Sequence, residues 1–160
     1  MRLFIFLVFA MLVFSSQVFA CENMRSMTLE QKEICRTHPY EKLYEELEKG
    51  SYESLVTFIR CSDFHGGGDL EDLHTLSGFF LLKDAFLYVY ILEQEKVRES
   101  CLAPYFTMLN PNLVDDAEGQ ITEIHKRISV LQTLQSSRIR DYGLQELQEY
   151  LEFLEGTKNK

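Results

Sequence analysis

The stretch from Leu70 to Leu92 constrains this 160-residue chain more than any other. Leu73, Leu76, Phe79, Phe80, Leu82, Phe86, Leu87, Val89, Tyr90, Ile91 and Leu92 wrap most of the way round a helical wheel. A helix at the surface shows one apolar stripe, whereas a helix apolar on nearly every side must be enclosed by others. Lys83 and Asp84 interrupt the run at its middle. Adjacent charges at the centre of a bilayer are costly, so a globular core accounts for the run better than a membrane span. The pattern predicts one long central helix, from Leu70 to about Ser100, inside an all-α bundle of five to seven helices.

Helices able to enclose it are legible on both sides. Thr28, followed three residues later by Gln31, reads as a capping box that opens a short helix from Leu29 to about Arg36. Pro39 suits the first turn of a second helix, Tyr40 to about Lys49, which carries Leu43 and Leu47 on one face and stops at Gly50. Ser51 caps a third helix with Leu55, Val56, Phe58 and Ile59 as its stripe, so the second and third form an antiparallel hairpin. Ser62 to Asp69 reads as a flexible Gly-rich connector, with Asp69 as the cap of the central helix. Further on, Asp115 or Asp116 opens a helix striped by Ile121, Ile124, Ile128, Leu131 and Leu134, continuing to about Ser136. Arg138 to Gly143 is expected to break or kink the chain before a last helix bearing Leu144, Leu147, Leu151 and Leu154. Gly156 ends that helix and leaves residues 157–160 as a frayed tail, while period-two strand patterns are absent throughout.

The first twenty residues read as an address. Arg2 supplies a positive n-region, Leu3 to Phe14 an apolar stretch, and Val18, Phe19 and Ala20 lead to the cut of a cleavable secretory signal. The mature domain would span residues 21–156. The order Val18, Phe19, Ala20, Cys21 also resembles the lipobox of bacterial lipoproteins, and that resemblance, confined to this boundary, implies acylation of Cys21. The competing reading keeps Cys21 for a disulfide. Four cysteines follow the leader, Cys21, Cys35, Cys61 and Cys101, and in an oxidising compartment two disulfides are the default. Of three connectivities, the preferred one joins Cys35 to Cys61, closing the helical hairpin, and Cys21 to Cys101, tethering the new N-terminus.

Charge narrows the function. Loss of the leader removes Arg2 alone among charged residues, leaving 15 Lys and Arg against 25 Asp and Glu, a net charge of −10. Phosphate binding rests on clustered Lys and Arg, so nucleic acid is excluded as a partner. Such a surface steers toward basic proteins instead. Acidic faces lie on Glu41, Glu45, Glu46, Glu48 and Glu53, and again on Glu146, Glu149, Glu152 and Glu155. Tyrosines near element ends, among them Tyr40, Tyr44, Tyr52, Tyr105, Tyr142 and Tyr150, are candidate contact anchors.

Motifs for catalysis are thin. Gly66, Gly67 and Gly68 lack the flanking strand, the glycine spacing and the Lys-Ser/Thr pair of a phosphate loop. No nucleophile elbow is present, and oxidised cysteines are not nucleophiles. The one cluster suited to a divalent metal comprises His65, Asp69 and His74, which would require the glycine loop to fold back over the helix. The ordinary account makes Asp69 a cap and Asp72 a partner of the helix dipole. The chain is therefore read as an exported, non-catalytic domain without a cofactor. It binds another protein, most concretely as an inhibitor or immunity protein acting on a secreted toxin or cell-wall enzyme. Its place is the periplasm or outer membrane of a bacterium, or otherwise the extracellular space. A structural or assembly lipoprotein anchored through Cys21 is the first alternative, and a metal-dependent enzyme centred on His65 and His74 the second.

Overall fold

The computed structural model describes residues 27–158, so the expected leader, Cys21 and the last two residues lie outside the described residues. Among the described residues the regular structure is entirely helical. Eight α-helices follow in order: α1 (Leu29–Arg36), α2 (Tyr40–Glu48), α3 (Tyr52–Cys61), α4 (Gly67–Lys83), α5 (Ala85–Gln94), α6 (Ala103–Thr107), α7 (Ala117–Gln132) and α8 (Arg138–Lys158). Short 3₁₀ turns occupy Ser62–Phe64, Glu99–Cys101 and Pro111–Leu113.

The amino-terminal helices form where local chemistry places them. Thr28 and Gln31 make both halves of the capping box, Gln31 N–H donating to Thr28 Oγ1 at 3.2 Å and Thr28 N–H to Gln31 Oε1 at 2.8 Å. Gly50, with φ +79°, ends α2 in a Schellman arrangement: Ser51 N–H donates to the Glu46 carbonyl and Gly50 N–H to that of Leu47. Ser51 then caps α3 through Ser54 N–H. Pro39 serves as the N-cap of α2 rather than within its first turn.

The central apolar run is not one helix. Asp84 adopts an extended backbone (φ −157°, ψ 86°) and is at once the C-cap of α4 and the N-cap of α5, its Oδ1 accepting from Leu87 N–H at 3.0 Å. An aspartate side chain offers the backbone an alternative to helix continuation, and here that alternative is taken. This split, together with the five-residue α6, accounts for eight helices where five to seven were expected. Helix α4 buries Leu73, Leu76, Phe80 and Leu81, and α5 buries Tyr88, Val89, Ile91 and Leu92. Asp69 is not the cap of α4 either: Gly66 holds that position, Gly67 at φ +55° begins the helix, and Asp69 lies in its first turn.

Downstream, Asp116 caps α7, accepting from Gly119 N–H at 2.9 Å, and the expected stripe faces inward, with Ile124, Ile128 and Leu131 buried. The helix stops at Gln132, short of Ser136. The expected break between Arg138 and Gly143 does not occur, because α8 runs unbroken through it and past Gly156 to Lys158. Gly143 is a notch, not a breaker: a Cβ there would lie 2.6–2.8 Å from the ring of Phe106, so the bare backbone lets α6 settle onto α8.

Two fastenings complete the bundle. The expected Cys35–Cys61 disulfide joins α1 to α3, with a Cα–Cα distance of 5.3 Å. Cys101 is buried and is not a free thiol, while its expected partner Cys21 lies outside the described residues. In the interior, Arg127 of α7 is fully buried, and its Nη1 donates to the carbonyls of Phe106 at 2.7 Å and Met108 at 2.9 Å, pairing the end of α6. Gly78 of α4 makes room, since a Cβ there would stand 3.0 Å from the Arg127 guanidinium. Glu123 lies 3.5 Å from Arg127 Nε, and Tyr88 Oη donates to the Tyr105 carbonyl at 2.8 Å. Burial pulls the guanidinium below its ordinary range, and Glu123 opposes that pull.

Candidate functional site

Of the three residues singled out as metal ligands, Asp69 lies near enough to His65 to act on its charge, whereas His74 is enclosed among aromatic rings of the core. His74 is buried on α4 between the rings of Phe58 and Tyr105, edge-on to both, at centroid distances of 5.1 and 4.5 Å. Its Nδ1 has no hydrogen-bond partner, and burial pushes the imidazole down to about 4. His65 is half-buried in the connection before α4, with Nε2 likewise unpartnered, and burial lowers it while Asp69 raises it. Among the described residues no three His, Cys, Asp or Glu side chains could together hold a metal ion. His74 therefore behaves as an aromatic core residue, fixed by edge-to-face packing.

An open cleft lies between α2, α4 and the segment after α6. Its volume is about 370 Å³, and it is lined by Tyr44, Glu48, Asp72, Thr75, Leu76, Phe79, Asn110, Pro111 and Asn112. Helical spacing explains the two long walls. Tyr44 and Glu48 lie one turn apart on α2, and Asp72, Leu76 and Phe79 follow one another along one face of α4. The third wall is pinned to the bundle. Thr75 Oγ1 donates to the Leu109 carbonyl at 3.4 Å, and Asn110 Oδ1 accepts from Asn112 N–H at 2.9 Å. Behind it, Gln120 Nε2 donates to the carbonyls of Leu113 at 2.6 Å and Val114 at 3.0 Å.

Polarity in the cleft is of one sign. Asp72 and Glu48 supply carboxylates, and no Lys, Arg or His lines the recess. Tyr40 Oη donates to Asp72 Oδ2 at 3.0 Å, which fixes that carboxylate against α2. Burial, followed by the hydrogen bond to Asp72, pushes the Tyr40 phenol up to about 12, so it stays protonated and remains the donor. The Tyr40 and Tyr44 rings stand 5.6 Å apart. Phe79, though embedded in the central apolar run, is 41% exposed at the cleft. A second recess, lined by His38, Lys42, Glu46, Ser51, Glu53, Ser54 and Thr57, carries both signs of charge and is partly satisfied from within by Ser54 Oγ donating to Glu46 at 2.6 Å.

The sequence offers Tyr40 and Tyr44 as contact anchors and Glu48 as part of an acidic face, without the partners that meet them in the cleft. Asp72 reads from the sequence as a partner of the helix dipole, and Asn110, Pro111 and Asn112 together read as a turn. Both statements hold locally, yet only the packing of α2 on α4 brings the groups together. Tyr105, expected at a contact surface, is buried in the core at 2% exposure. Among the described residues no helix is long and apolar enough to cross a membrane.

Together the fold and the cleft define an all-helical, disulfide-stapled domain with an acidic, aromatic-walled recess. Compared with protein-family models, with curated proteins and with solved structures, the chain matches none.

Proposed function

We propose that the chain is an exported, non-catalytic domain that binds a basic protein, in its most concrete form an inhibitor or immunity protein acting on a secreted toxin or cell-wall enzyme of the bacterial envelope. The cleft between α2 and α4 carries this reading, because its two carboxylates and aromatic walls face outward with no cation among its lining residues. The net charge, −9 for the whole chain and −10 once the leader with Arg2 is removed, acts in the same direction, drawing positive partners toward the surface before contact. Cleavage after Ala20 and a Cys21–Cys101 disulfide belong to the same proposal.

The test is capture of secreted proteins from the source cells on the immobilised, oxidised chain. A retained protein with a pI above about 9 is expected, forming a one-to-one complex whose enzymatic or toxic activity falls on binding. Release near 1 M salt, where the Debye length is about 3 Å, is expected as well. No retained protein, or one held equally well in high salt with its activity intact, overturns the reading.

A further inference from the structure

Resting on that reading, we propose that the cleft between α2 and α4 is an anchoring pocket for a single arginine side chain of the partner. Its volume of about 370 Å³ lies at the small end of ligand sites, which run from roughly 300 to 1,000 Å³. One long side chain suits that space. Leu76 and Pro111 offer apolar contact for the methylene stem, and the Tyr44 and Phe79 rings offer faces for a planar cation.

The polar groups favour a guanidinium over an ammonium. Asp72 and Glu48 approach from different helices, and a forked donor can reach two acceptors where a compact ammonium acts as a point charge. The Tyr40 bond occupies Asp72 Oδ2 and orients the carboxylate, leaving Oδ1 for an incoming N–H. Thr75 and Gln120 hold the third wall through their bonds to Leu109, Leu113 and Val114. Binding therefore requires little ordering of the receptor. An anionic ligand is disfavoured by the same lining, because the recess would set it against two carboxylates with no cation among the lining residues to receive it.

The experiment is a titration of the full oxidised chain, isotope-labelled and followed through backbone amide shifts, with acetyl-Gly-Arg-Gly-amide and its lysine and citrulline counterparts. The arginine peptide is expected to bind with a Kd of about 1 mM, moving the amides of Asn110, Asn112 and Asp72. The lysine peptide should bind at least about fivefold more weakly, and the citrulline peptide, isosteric but uncharged, should move nothing. Asp72→Asn, which keeps an acceptor for Tyr40, and Glu48→Gln should each weaken the arginine peptide at least about fivefold with the melting temperature unchanged. Equal response to citrulline, shifts confined to α8, or no shifts at about 20 mM overturns the pocket. The two proposals fail separately. A secreted partner retained in full by both variants overturns the pocket alone, whereas peptide binding without any retained protein overturns the partner reading alone.

Discussion

Helices α1 and α6 are both too short to persist alone, and the bundle holds them by opposite means. Helix α1 buries one residue, Cys35, and its attachment to α3 is the disulfide. Leu29 at its start is 87% exposed. Helix α6 has only five residues, yet Tyr105 and Phe106 are buried, Gly143 accommodates the Phe106 ring, and Arg127 donates to the carbonyls of Phe106 and of Met108 at its C-cap. A helix without an apolar stripe is fastened covalently at the rim. A helix whose carbonyls end in the core needs donors brought to it.

The difference can be broken most forcefully at Arg127. Arg127→Met is expected to cost about 3–5 kcal/mol in urea unfolding, because it leaves the Phe106 and Met108 carbonyls without their donor. Hydrogen exchange should then quicken in α6 and α8 before α1. Replacing Cys35 and Cys61 together by Ser should cost about 3 kcal/mol, since the bridge spans 26 residues. Here exchange should quicken in α1 while α6 remains protected. Loss of protection in α6 from the cysteine change would show that the two fastenings are one cooperative unit.

A pH scan sharpens the comparison from inside the core. Burial holds His74 down to about 4, so between that value and the ordinary 6.5 the unfolded chain binds the proton and the folded chain does not. The contribution is fully present above 6.5 and is lost as pH falls toward 4, reaching about 2 kcal/mol of lost stability at pH 5. His74→Phe should flatten this part of the profile relative to the native chain, and an unchanged slope would assign it to other groups. The smallest effect is expected at the α4–α5 junction. Asp84→Ala removes the bond to Leu87 N–H and should cost about 1 kcal/mol, measured as a lower midpoint in the same denaturant series.

What was legible in the sequence was local. Thr28 with Gln31, Gly50 after Leu47, and Ser51 before Ser54 each satisfy backbone groups within a few residues, and each acts as its spacing predicts. Asp84 escaped because the apolar periodicity continues on both sides of it, so a competing side-chain cap was hidden within a strong helical signal. Gly143 was misread because a helical glycine signals either a break or a close approach, and only the position of Phe106 decides between them. Arg127 carried a usable sign: it falls between Ile124 and Leu131 on the buried stripe of α7, where a charged residue has to find partners. The cleft draws on three separated segments, and no spacing along the chain announces it.

Gly78 and Arg127 touch across the centre of the bundle, the bare backbone of one receiving the guanidinium of the other. Any side chain at 78 displaces the group that holds α6, and any shorter residue at 127 leaves a void against the glycine. In relatives of this chain the two positions are therefore expected to drift as a pair, a large residue appearing at one only as the other shrinks. That gives the family, when its members are compared, an internal mark by which this core arrangement can be traced.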